Sequence, residues 1–157
     1  MGLLVLDNQY LGIAQALVNN AKEEIYLSTF KLEINEKPRG RTLKKFFDTL
    51  ADKAKSGIKV KILFNWRQDQ KSVPKTNYYA SITLKNAGAD TRYLDNDRCC
   101  HAKILITDKK NVLLGSHNLS VRSCEANFEL SYLIPDPETV AQAHAIFENI
   151  FSTAKKI

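Results

Sequence analysis

Three observations in this 157-residue chain predict an α/β fold, a single domain over 1–157 with a mixed β-sheet flanked by helices. Short strand-like runs alternate with amphipathic stretches of helical length. A strand, a helix and a strand follow one another from Glu24 to Phe64, a βαβ unit whose two strands should be parallel. Further on, Ala102 to Thr107 and Val112 to Leu114 flank the turn-like Asp108-Lys109-Lys110-Asn111, a β-hairpin pattern that adds antiparallel strands.

In order, Leu3 to Leu6 reads as a short strand, with Asp7 or Asn8 capping the helix after it. Leu11, Ala14, Leu17, Val18 and Ala21 recur at helical spacing and give that helix one apolar face. Glu24 to Phe30 alternates as a strand, and the polar, basic segment Lys31 to Arg41, broken by Pro38 and Gly40, reads as a loop. Leu43, Phe46, Phe47, Leu50 and Ala54 mark a second amphipathic helix ended by Gly57, and the strand Ile58 to Phe64 follows. Asn65 to Thr76 is expected to be loop, Asn77 to Ala87 helix, and Thr91 to Leu94 a short strand. The last helix opens with Asp136 as cap and Pro137 in its first turn, and Val140, Ala143, Phe147, Ile150, Phe151 and Ala154 form its buried stripe.

Composition narrows the function classes. The hydrophobic fraction of 44% and charged fraction of 25% are those of a globular protein. The longest apolar runs fall far short of the roughly 20 residues that cross a bilayer, so no stable membrane insertion is expected. The amino terminus lacks the pattern of a secretory signal, which reads as a cytoplasmic protein or one with its leader removed. Three cysteines, Cys99, Cys100 and Cys124, argue against a disulfide scaffold and for reduced thiols. A net charge of +6 favours an anionic partner, either nucleic acid or an acidic surface.

The chemistry concentrates between His101 and Asn118. On a strand His101 and Lys103 share a face, while Ala102, Ile104 and Ile106 pack on the other. A hairpin turning about Lys109 and Lys110 sets Lys103 opposite Ser116 and His101 opposite Asn118, beyond Gly115. An imidazole, an ammonium, a hydroxyl and an amide then form an anion pocket with a nucleophile or base and three donors. Asp108 lies seven residues from His101, about 23 Å along a strand, so its expected role is to hold the turn.

His101-x-Lys103, Asp108 and Gly115-Ser116-x-Asn118, with their spacing, resemble the HKD motif of the phospholipase D superfamily. The order of elements and the length are similar to its small single-motif bacterial nucleases. The resemblance makes Glu129 the acidic residue of the next strand, a carboxylate that would accept from the imidazole N–H and set its tautomer. It implies a metal-independent phosphodiesterase with no cofactor. One histidine attacks phosphorus to give a phosphohistidine, and a second protonates the leaving oxygen and then activates water. Two HxK motifs are needed and this chain carries one, so a homodimer with a shared active site is expected. The expected substrate is DNA or RNA, with a lipid phosphodiester or a non-catalytic nucleic-acid-binding module as alternatives.

Other residues are weaker candidates. Alternation points His117 away from Ser116 and Asn118, and His144 falls on the buried stripe of the last helix, a core or interface-edge position. Cys99-Cys100-His101 suggests zinc only superficially, because adjacent side chains diverge and no second ligand pair appears. Lys37, Arg39, Arg41, Lys44 and Lys45 form the densest basic cluster, a solvated face by default and a phosphate-tracking rim as the alternative. Of these, Arg39 and Arg41, together with Trp66 and Arg67, are the candidate substrate contacts, and Tyr78 and Tyr79 are expected to pack.

Overall fold

The computed structural model describes residues 1–34, 40–66, 73–94 and 98–157. The elements run β1 (Leu3–Leu6), α1 (Gln9–Asn20), β2 (Glu24–Thr29), α2 (Arg41–Lys55), β3 (Lys59–Phe64), α3 (Val73–Asn86), β4 (Asp90–Tyr93), β5 (Lys103–Thr107), β6 (Asn111–Gly115), α4 (Val121–Glu125), β7 (Leu130–Ile134), α5 (Pro137–Thr153) and β8 (Lys155–Lys156). They build one mixed eight-stranded sheet in the order β1-β7-β6-β5-β2-β3-β4-β8. The βαβ unit is present, with β2 and β3 parallel, whereas β5 runs antiparallel to β2 and to β6.

Helices cover both faces of the sheet, which is why every residue of the central strand β2 is buried. On one face Leu11, Val18, Phe46, Leu50 and Leu84 of α1 to α3 pack on Ile25, Ile62, Leu105 and Leu113. On the other, Val140, Phe147 and Phe151 of α5 pack on Tyr26, Leu63, Ile106 and Val112. The Asp136 cap is realised, its carboxylate accepting from Thr139 N at 2.8 Å. Among the described residues no helix is long and apolar enough to cross a membrane.

Several expectations are corrected. Helix α3 begins at Val73, four residues before Asn77, because Pro74 is tolerated in a first turn where no helical donor is needed. β2 ends at Thr29, one residue before Phe30. The short helix α4, capped by Ser120, and the strand β8 were not anticipated; both are too short for a periodicity to show. The hairpin register also differs by one residue. Asp108 and Lys109 occupy the left-handed region at φ 50° and 52°, and Thr107 pairs with Asn111 across three connecting residues. Lys103 therefore lies opposite Gly115, not Ser116.

Candidate active site

β5 delivers the first two groups. Lys103 is its first residue and is buried, whereas His101 precedes the strand and is exposed. The Lys103 ammonium donates to the His101 carbonyl oxygen at 2.6 Å and lies 3.0 Å from Nδ1 of the imidazole. Burial holds the lysine below its usual pKa. Its ammonium also stands 5.7 Å from the Phe30 ring centre, and that ring packs against the imidazole at 5.3 Å.

The Gly115-Ser116-His117-Asn118 segment delivers the others as it leaves β6. Gly115 is required by close approach, since a Cβ there would collide with the Ser131 side chain and the Leu130 carbonyl oxygen of β7. Asn118 Oδ1 accepts from Lys31 N at 3.1 Å, with Thr29 Oγ1 at 3.5 Å, so its oxygen is turned inward toward the end of β2. That orientation leaves its amide N–H groups as donors to a ligand. His101 and Asn118 thus meet through neighbouring residues, Phe30 touching one and Lys31 the other.

Glu129 is placed otherwise than the resemblance implied. Its carboxylate accepts from Ser116 Oγ in a short hydrogen bond, from Ser123 Oγ at 2.8 Å and from Asn127 Nδ2 at 3.0 Å. Among the described residues no hydrogen bond joins it to His101. Burial opposes its charge, but these three donors hold its pKa below the usual carboxylate value. Asp108 stands at the far end of β5, as its spacing required. It does more than hold the turn: its carboxylate accepts from the backbone N–H groups of Lys22, Glu23 and Glu24 at 2.8–3.0 Å.

His117 is buried and points away from the site. It stacks on Tyr10 at 4.3 Å, with Nδ1 2.7 Å from Ser131 Oγ and Nε2 3.0 Å from the Asp7 carbonyl oxygen. His144 stacks on Tyr26 at 4.9 Å at the edge of the core. Cys99 is exposed while Cys100 is buried against Ser28 and the Leu63 carbonyl oxygen, and burial raises the Cys100 pKa. Cys124 is buried too, and its thiol is pushed up to about 12. Arg41 is exposed at the start of α2, and Lys44 pairs with Asp48 at 2.7 Å. Trp66 packs among Phe64, Tyr78 and Tyr93. Arg39, Arg67 and Lys37 lie outside the described residues. Tyr79 is 70% exposed, contrary to the packing role expected, and Tyr78 packs only partly.

Sequence reading missed the scaffold behind the site. Asn77 is fully buried; its Nδ2 donates to the Phe30 and Asn65 carbonyl oxygens, and its Oδ1 accepts from Leu32 N. Asn65 Oδ1 in turn accepts from Cys100 N at 3.2 Å. Two asparagines thereby tie the exits of β2 and β3 to the segment that carries His101. The one available signal was an apolar helix face interrupted by an asparagine. A pocket of about 150 Å³ opens beside the imidazole, lined by Leu63, Cys100, Ile104, Phe147 and Ile150 together with His101.

A mixed sheet here presents an imidazole, an ammonium and an amide near the ends of neighbouring strands, the arrangement that the resemblance to the phospholipase D superfamily implied. The model of a family described as "Cardiolipin synthase, PLD-like domain" matches residues 15–151, and the chain belongs to that family, within the phospholipase D superfamily. Members of that superfamily act on phosphodiester bonds. The chain is 34% identical over 102 residues to cardiolipin synthase 1 of Bacillus anthracis, a match covering 65% of this chain and 20% of that protein. It therefore spans about a fifth of that relative's length. Among solved structures it resembles Nuc, a phospholipase D family member from Salmonella typhimurium, with a TM-score of 0.80 and 17% identity, covering 100% of this chain and 99% of that one. The archaeal chromatin protein TrmBL2, whose structure is described as showing a novel mode of DNA binding, aligns at a TM-score of 0.67 and 21% identity over 99% of this chain and 54% of its own.

Proposed function

We propose that the chain is a metal-independent endonuclease that cleaves DNA or RNA through a phosphohistidine on His101, working as a homodimer. The observation that carries this reading is the meeting of His101, Lys103 and Asn118 at the end of β2, a nucleophile beside two donors suited to non-bridging phosphate oxygens. Ser116 donates to Glu129, a carboxylate whose charge is felt at Lys103.

An ammonium is donor only, so its contact with Nδ1 requires a lone pair there and places the proton of a neutral ring on Nε2. The histidine that protonates the leaving oxygen must instead carry a proton on both nitrogens, so that giving up the one on Nε2 leaves a neutral imidazole. For attack, the other copy of His101 needs the lone pair on Nε2. A phosphate that draws Lys103 off Nδ1 frees that atom to hold the proton. Nε2 then bonds to phosphorus as the P–O bond breaks, the leaving oxygen takes the Nε2 proton of the second ring, an imidazolium, and the neutral imidazole left there takes a proton from the water that releases phosphate from histidine. The charge of +6 favours a polyanionic substrate.

A second substrate class, a lipid phosphodiester, is favoured by the cardiolipin synthase relatives and by the apolar lining of the pocket at His101. The test is incubation in EDTA with labelled single-stranded DNA, duplex DNA, RNA and cardiolipin vesicles beside His101→Ala. Nucleic-acid cleavage that the variant lacks, by at least about 10³-fold, is the expected result. Turnover of vesicles alone would move the reading to the lipid class, and binding without turnover to a non-catalytic module.

A further inference from the structure

The chemistry at phosphorus leaves the pocket of about 150 Å³ beside His101 without a task. Its walls are apolar and come from three elements: Leu63 from β3, Ile104 from β5, and Phe147 and Ile150 from α5. Ile146 joins them from the same helix and is 61% exposed, although Phe147 beside it is buried. The polar atoms of the lining are taken up by protein groups. Ser28 Oγ donates to the Ala102 carbonyl oxygen at 3.0 Å and lies 3.3 Å from Cys100 Sγ, which itself stands 3.9 Å from the Leu63 carbonyl oxygen. Among the described residues that line the pocket there is no carboxylate, and exposed Arg98 brings a positive charge. An apolar cavity of about 150 Å³ walled by Leu, Ile and Phe takes up a single benzene-sized ring.

We infer that this pocket is a subsite for one unstacked pyrimidine base, carried by a nucleotide next to the phosphate held at His101. The inference rests on the reading of the chain as a nuclease. His101 is itself part of the lining, so a group joined through one sugar to the phosphate on its ring is delivered to the pocket. Volume then chooses among the groups a phosphodiester carries. A pyrimidine is one flat ring and fits, a purine enters only in part, and an acyl chain of a membrane lipid lies mostly outside. Charge agrees, because a guanidinium without a carboxylate suits a polyanion. Ser28 and Cys100 already pair with protein groups, so neither reads the edge of the base. Contact is through the ring faces, which every pyrimidine offers, and the pocket sorts by ring size more than by sequence. In a duplex the base must first be unpaired and unstacked, so the subsite favours a single strand.

The test is methyl NMR of the isoleucines during titration of wild type with three probes: thymidine 5′-monophosphate, deoxyribose 5-phosphate, which lacks the base, and dihexanoyl phosphatidylglycerol. Ile104, Ile146 and Ile150 are expected to shift with the nucleotide alone, while Ile13 and Ile58, packed on the opposite face of the sheet, stay in place. Cleavage is read in parallel on a single-stranded thymidine oligomer with one abasic position. Bonds beside that position are expected to be cut about 10-fold more slowly than the rest, the loss of one stacked base. Ile146→Ser, a change at an exposed position, is expected to narrow that difference by slowing the intact positions. Unmoved methyls, equal shifts with the baseless sugar phosphate, shifts with the lipid in place of the nucleotide, or even cutting across the abasic position would each overturn the subsite. The NMR reading needs no turnover. Methyls that move with the nucleotide in a protein that cuts nothing keep the subsite and sink the nuclease reading, whereas still methyls in an active nuclease sink the subsite alone.

Discussion

Lys103 shows how one side chain is tuned by where it begins. As the first residue of β5 it is drawn into the sheet, and burial, only partly offset by the negative charge of Glu129, favours the neutral amine. A lysine whose pKa is lowered holds its charge only below that value, and the charged form is the one that grips phosphate oxygens. The alkaline limb of kcat/KM should therefore lie below the ordinary lysine value of 10.5. In Lys103→Arg, whose guanidinium does not deprotonate, the limb should vanish while kcat falls. Coincident limbs in the two pH–rate profiles would rule lysine out as its source. The gathering of His101, Lys103 and Asn118 near the end of β2 was legible in the sequence because a spaced motif fixes which residues share a strand end. Phe30 and Lys31 were not, since their part in the site arises from β2 lying beside β5, a pairing far apart in the chain.

At the scale of the element, the hairpin and its neighbour β7 carry the most exacting fit. Gly115 leaves no room for a methyl group against the Leu130 backbone and Ser131, and backbone cannot yield as a flexible side chain can. Gly115→Ala is expected to lower the stability to denaturant by about 2–3 kcal/mol, within the range of overpacked cores. It should also displace Ser116 from Glu129, so activity should fall further than the unfolded fraction accounts for. The register slip of one residue arises at the other end of the hairpin. Loop residues set register, and the left-handed pair Asp108 and Lys109 lengthens the connection by one residue in a way alternation cannot show. Helix periodicity was the more dependable guide: α2 and α5 fall where their apolar stripes predicted.

Across the whole molecule, α5 is joined to the sheet by a polar cluster as well as by its apolar stripe. Glu148 accepts from Lys61 at 2.6 and 2.8 Å and from Tyr26 OH at 2.6 Å. Burial opposes its charge, but these partners depress its pKa from 4.5 to about 2. A depressed carboxylate adds stability that is complete above 4.5 and is lost as pH falls from there through 2. The melting-temperature advantage of wild type over Glu148→Gln should therefore shrink across that interval. A constant difference from pH 7 to pH 2.5 would remove Glu148 from the acid response. The α/β class and the parallel β2–β3 pair were legible because alternating strands and amphipathic helices have few ways to cover both sides of a sheet. The exposure of Leu4, Leu114 and Tyr132 on β1, β6 and β7 was not, because an apolar residue in a strand reads the same whether it is covered or open to water.

Asp108 gives the spacing of the motif a meaning of its own. β5 is pegged at one end, where that carboxylate holds three amides at the start of β2, and it presents Lys103 at the other, beside the last turn of the chain out of β2. The four residues between peg and ammonium act as a ruler. Lengthening it by two would keep every side chain on its proper face, yet push the imidazole about 6.6 Å past Phe30 and Asn118. The fixed interval between lysine and aspartate is therefore a measured length of strand, matched to β2, that sets how far the nucleophile protrudes.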